Sequence, residues 1–167
     1  GMMARRGEAQ AARAAQAAGV PFTLSTVGIC PLSEVMAATG AAPWFQLYML
    51  RDRGAVRALL DDAWAAGSRT LVDLPATGMR WRDMRNGMAA TGAWAALLRA
   101  GQVLARPGWV RDVAISGKPL TFGSLSQQVP GARDLNAFKT WVDAQFDPSV
   151  TWKDIAWLRG QWKGRLL

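Results

Sequence analysis

Three short apolar runs, "VPFTLST" (20–26), "PWFQLYML" (43–50) and "RTLVD" (69–73), recur about every 25 residues, each preceded by a stretch of helical character. "GEAQAARAAQAAG" (7–19) is alanine-rich and closes on glycine. "PLSEVMAATG" (31–40) closes on Gly40. "RDRGAVRALLDDAWAAG" (51–67) sets Val56, Leu59, Leu60 and Trp64 at helical spacing. Strictly alternating helices and strands predict a parallel sheet with crossover helices, because parallel neighbours can be joined only by a long connection. Near-continuous apolarity within each strand fits a sheet covered by helices.

After Asp73 the alternation stops. Residues 74–132 hold turns, a helical stretch at 89–105 and the polar segment "SGKPLTFGSLSQQVPGA". So long an interval between elements is expected to be a functional excursion or a mobile loop. Two helices follow at 132–146 and 151–164, the second opening with Thr151 and Asp154 at capping-box spacing. "GRLL" at the end reads as the first step into another strand. The 167 residues suffice for one core, so the expectation is a single segment with an excursion at 84–150 inside it.

Composition narrows the chemistry. Histidine is absent, so no imidazole within this sequence acts as base, acid or ligand. With one cysteine, Cys30, a zinc site is not expected and an internal disulfide is impossible, which suits a reducing, cytoplasmic compartment. There are 20 Lys+Arg against 12 Asp+Glu, spread along the chain, and this favours anionic partners of several kinds. No apolar run is long enough to span a bilayer, and the opening "GMMARRGEAQ" lacks the apolar core of a secretory signal.

Ligands of parallel α/β folds bind beyond the carboxyl ends of the strands. The polar residues expected there are Ser25 and Thr26, then Gln46 and Tyr48 on one strand face, then Asp73 with Arg80 and Arg82 above it. That set suits a polar cofactor and an anionic substrate. Each member also has a structural reading. Ser25 and Thr26 can be strand-end hydrogen-bonding residues, Tyr48 a core residue, and Asp73 a turn cap paired with Arg80 or Arg82. Taken alone, the residues support an α/β domain that binds a small polar ligand.

At these same residues, the order of "GMMARRGEAQAARAAQAAGVPFTLST", "WFQLYMLRDR", "RPGWVRDVAISGKPLTFGSLS" and "FDPSVTWKDIAWLRGQWKG" resembles the FMN-dependent α-hydroxy acid dehydrogenase family, especially its lactate-type branch. The resemblance implies a partial (β/α)8 barrel. The three strands would be strands two to four of the barrel, followed by the family's long excursion after strand four. It implies FMN as cofactor and oxidation of an L-2-hydroxy acid such as L-lactate to the 2-oxo acid. By position, Ser25 and Gln46 would contact the flavin, and Tyr48 would lie near the substrate hydroxyl. Asp73 would orient a catalytic histidine, and Arg80 would help hold the substrate carboxylate. The histidine, the strand-five lysine and the phosphate loops would lie past the stretch this chain matches.

One departure stands out. Family members read roughly Thr-Leu-Val-x-Thr-Val-Asp where this chain reads Thr70-Leu71-Val72-Asp73. Three residues, one a flavin-contacting threonine, are missing. Side chains alternate along a strand, so an odd deletion reverses the facing of the residues before it relative to Asp73. If Asp73 points inward, Leu71 should point inward and Thr70 outward.

Partners divide similarly. "GAWAALLRAGQVLARPGWVR" (92–111) combines Trp94, Leu97, Leu98, Val103 and Trp109 with Arg99, Arg106 and Arg111, as an interfacial helix at the inner face of the cell membrane would, or a lid helix over a barrel mouth. Nine tryptophans and a basic balance also raise a nucleic-acid module, but no nucleic-acid motif is present and Trp64, Trp141 and Trp157 fall on apolar helix faces. The resemblance implies a homo-oligomer for full-length relatives.

Overall fold

The computed structural model describes residues 3–74, 92–117, 122–126 and 149–167, together with positions 81, 85, 140, 141, 144, 145 and 147. Its elements run α1 (Gly7–Ala17), β1 (Thr23–Ser25), α2 (Leu32–Thr39), β2 (Trp44–Tyr48), α3 (Arg53–Ala65), β3 (Thr70–Leu74), α4 (Ala93–Leu104), α5 (Pro107–Trp109), a π-helical stretch over Val110–Ile115, α6 (Trp152–Gln161) and β4 (Arg165–Leu166). The four strands form one parallel sheet in the order β1-β2-β3-β4.

Local chemistry accounts for the boundaries. Gly40 takes the left-handed conformation (φ 68°) that stops α2, and its N–H reaches Met36 O at 2.7 Å. The Asp52 carboxylate accepts from the Gly54 and Ala55 amides at 2.8 and 3.1 Å and so starts α3. The capping box of α6 forms as its spacing predicts: Thr151 N and Oγ1 both reach Asp154 Oδ2, at 2.8 and 2.7 Å. The terminal "GRLL" does enter a strand: Arg165 N donates to Arg69 O (2.8 Å) and Leu167 N to Leu71 O (2.9 Å). β1 and β2 are shorter than their apolar runs, because apolarity marks burial, whereas a ladder forms only beside a partner strand. The helix expected at 132–146 lies largely outside the described residues, as does much of 84–150.

Register assigns each strand residue to a face. Leu24, Phe45 and Leu71 are mutual neighbours on one face, and Leu47 pairs Asp73 on that same face. Leu24, Phe45, Leu47 and Leu71 are all buried in a core with Val35 of α2, Val56, Leu59 and Leu60 of α3, and Leu158 of α6. This is the helix-covered face. Trp162 seals its lower end: it meets Trp64 edge-on at 5.3 Å between ring centroids and donates Nε1–H to Arg165 O at 3.0 Å.

Candidate functional site

The opposite face carries Ser25, Gln46 and Val72 in one row, with Tyr48 and Leu74 paired in the next row up. Three of the expected site residues, Ser25, Gln46 and Tyr48, therefore converge at the carboxyl ends of adjacent strands. Ser25 Oγ donates to Gln46 Oε1 at 2.5 Å. This bond fixes the amide's orientation: its oxygen is occupied and its nitrogen is turned away from the serine. Gln46 Nε2 is buried and has no hydrogen-bond partner among the described residues. A buried amide donor without a partner costs about 1–3 kcal/mol, a cost that a ligand acceptor on this face would remove.

Thr26, adjacent to Ser25, does something else. It is fully buried, its Oγ1 donates to Gln46 O at 2.6 Å and accepts from Tyr48 N at 3.2 Å, and its own N–H reaches Gln46 O at 2.9 Å. It ties the end of β1 to β2, the structural reading of that residue, and so holds Gln46 and Tyr48 in register. Tyr48 is half-buried on the same face as Gln46.

Asp73 is not brought to this face. It pairs with Leu47 rather than with Gln46 or Tyr48, so it projects to the helix-covered side, and its backbone N–H is held by Leu167 O at 3.0 Å. By register Asp73 shares a face with Leu71, which is buried in the outer core, while Thr70 and Val72 belong to the inner face. The physical reason is parity. Apolar Leu71 holds the strand to the core, and Asp73, two residues on, falls on the same outward side.

On the outer side Asp73 comes under the influence of Arg53, the first residue of α3, and of Asp154, at the third position of α6. Burial pushes the Asp73 carboxyl above its usual range. The Arg53 guanidinium offsets part of that rise and the Asp154 carboxylate adds to it. Arg53 forms an ion pair with Asp154, reaches Leu50 O at 3.3 Å and lies 5.2 Å from the Trp157 ring centroid. Sequence reasoning missed Arg53, because its pairing with Asp154 joins two helices far apart in sequence. Arg80 and Arg82 lie outside the described residues. Among the described residues no group of His, Cys, Asp and Glu could hold a metal ion.

The inner face thus presents a buried amide donor, Gln46 Nε2, and a tyrosine at the carboxyl ends of adjacent strands. Comparison with known proteins adds to this. The family model described as FMN-dependent dehydrogenase matches residues 1–167. An L-lactate dehydrogenase of Caulobacter sp. (strain K31) is 52% identical over 170 residues, covering the whole chain and 44% of that protein. One of Bartonella tribocorum is 47% identical over the same span, again 44% of its length. The chain thus spans less than half the length of these relatives, and each alignment holds 170 positions against 167 residues here, three more than the chain has. Among solved structures, a monotopic membrane protein, (S)-mandelate dehydrogenase, superposes with a TM-score of 0.76 at 26% identity over 96% of this chain and 42% of that one. A mandelate oxidase solved with a C4a-OH-FMN adduct superposes at 0.58 and 28% identity, covering 95% of this chain and 35% of that one. Sheet order, crossover helices and these superpositions agree on part of a (β/α)8 barrel. With a match that runs from the first residue to the last, this chain belongs to the FMN-dependent dehydrogenase family.

Proposed function

We propose that this chain supplies one wall of the flavin and substrate pocket of an enzyme that oxidises an L-2-hydroxy acid, of the L-lactate class, to the 2-oxo acid. The observation that carries this reading is Gln46: its amide is oriented by Ser25 and its buried nitrogen has no partner among the described residues. FMN, when bound, would accept the hydride that leaves the substrate carbon. The chain's own residues orient the reactants. Gln46 donates to the flavin edge, Ser25 holds that amide, and Tyr48 lies one register step above, at the strand end where the substrate hydroxyl would sit. Arg80, on the segment after β3, is assigned to the substrate carboxylate by resemblance. The proton is taken by a group outside this sequence, which has no histidine.

The test is a hybrid barrel in which residues 1–167 replace the matching stretch of the Caulobacter protein. Purified hybrid should show flavin absorption, and Gln46→Leu should weaken flavin binding by roughly 10- to 100-fold, as expected for an unpaired buried acceptor–donor contact. A colourless hybrid, or one in which Gln46→Leu binds flavin equally well, refutes the assignment.

A second reading concerns association with a membrane surface. Along α4, Trp94, Leu97 and Leu104 are 71%, 62% and 78% exposed, and of its twelve residues only Ala95 is buried. An apolar helix stripe turned to solvent, followed by Arg106 and Arg111, is suited to the interface of an anionic bilayer. Among the described residues no helix is long and apolar enough to cross one. The hybrid should float with anionic liposomes, and Leu97→Glu should abolish flotation; flotation unchanged by that substitution refutes the role of α4.

A further inference from the structure

We infer that β3 of this chain no longer delivers a carboxylate into the barrel: Asp73 belongs to the outer, helix-covered face beside the Arg53–Asp154 pair, and the backbone position next to Tyr48 on the inner face is Leu74. The inference rests on the flavin-pocket reading only for its functional consequence; the facing of Asp73 stands on register alone.

Three observations carry it. β3 is locked on both sides: Phe45, Gln46, Leu47 and Tyr48 pair Leu71, Val72, Asp73 and Leu74 in order, and Thr70 and Leu71 pair Arg165 and Leu166. A slip by one residue would turn Leu71, now fully buried, out of the core, so the register is strongly specified. Asp73 Oδ1 is buried with no hydrogen-bond partner among the described residues. The charges that act on it are those of Arg53 and Asp154, near the starts of α3 and α6 on the outer face. Finally, the alignments with these relatives run to 170 positions against 167 residues here, an odd net difference compatible with a shortened β3.

The consequence concerns proton transfer. A histidine brought in by the remainder of a family barrel would meet no carboxylate from Asp73 on the inner face. Without that partner an imidazole loses both its fixed tautomer and the stabilisation of its protonated form. The chain can hold the flavin edge through Ser25 and Gln46 yet cannot position a base. Lengthening β3 by three residues between Val72 and Asp73 restores the alternation and returns Asp73 to the inner face.

Two measurements test this independently. The first is disulfide trapping in the hybrid barrel, with Cys30→Ala and its other cysteines replaced. Paired residues on neighbouring strands lie about 4.8 Å apart, within disulfide reach when both side chains share a face. Leu47→Cys with Asp73→Cys should form an internal bridge under oxidising conditions, seen as a mobility shift reversed by reductant. Tyr48→Cys with Asp73→Cys should not. A bridge in the second pair, or none in the first, overturns the inference, and neither result depends on flavin. The second uses the hybrid barrel. Its turnover of L-lactate should fall about 10³- to 10⁴-fold below the Caulobacter parent, the scale set by loss of a histidine's carboxylate partner. Three residues added between Val72 and Asp73 should recover it and shift the pH profile with it. Asp73→Asn should matter only in the lengthened strand; a loss of turnover from Asp73→Asn in the unlengthened hybrid overturns the inference. Absence of flavin from every hybrid would instead count against the proposed function.

Discussion

A buried amide nitrogen with nothing to donate to is uncommon in folded proteins, and among the described residues Gln46 presents one on the face where ligands of parallel sheets bind. Ser25 is what makes it directional. Ser25→Ala would leave Oε1 unpaired and the amide free to rotate, so flavin affinity in the hybrid barrel should fall several-fold, less than for Gln46→Leu; a fluorescence-quenching titration measures both. Asp73 gives the opposite kind of prediction. Its folded carboxyl value lies above the ordinary 3.8, raised first by burial. The folded chain therefore holds that proton more tightly than the unfolded one, and ionisation opposes folding. Stability contributed at this residue is present at low pH and is lost as pH rises through the raised value. Asp73→Asn should raise the melting temperature of the hybrid at pH 7, and the difference should vanish as pH falls below 3.8; thermal melts across pH check it. A drop in melting temperature at pH 7 would mean that the Arg53 attraction outweighs the burial cost.

Among the elements, α6 and β4 show how a local signal and a tertiary contact combine. Thr151 and Asp154 were legible as a capping box, and the Asp154 carboxylate accepts from both the Thr151 backbone N–H and its hydroxyl. Thr151→Ala should cost about 1 kcal/mol, measured by denaturant melts of the hybrid. The Thr151 hydrogen bonds also hold Asp154 below the usual carboxylate range, with Arg53 adding to that, so the cap is intact at neutral pH and is lost as Asp154 protonates in acid. What the pattern could not say is that Asp154 also pairs with Arg53, residues a hundred positions apart in sequence. Gly164 is a second such case: a Cβ there would run into the Arg69 carbonyl, the same carbonyl that accepts from Arg165. Gly164→Ala should therefore unzip β4 from β3, seen as faster amide exchange at Arg165 and Leu167.

For the whole molecule the sheet is the deciding object. Four parallel strands leave the outer side of β1 unpaired among the described residues, and β4 contributes only two residues. Such edges template association with other chains unless they are covered, as a closed barrel covers them. The 167-residue chain expressed alone should melt without a sharp cooperative transition and should self-associate; a cooperative monomeric melt by calorimetry would contradict this. The apolar stripe of α4 adds a second exposed surface to the same molecule.

The sequence by itself determined the alternation of elements, their caps and the residue types at the strand ends, because helix periodicity, capping chemistry and strand apolarity are local properties. It also raised the parity question in β3. It could not answer that question, because which face a strand residue takes depends on which neighbour holds the strand. Only the tertiary structure decided it: Leu71 is anchored in the helix-side core, Leu47 pairs Asp73, and the carboxylate is turned away from Ser25, Gln46 and Tyr48.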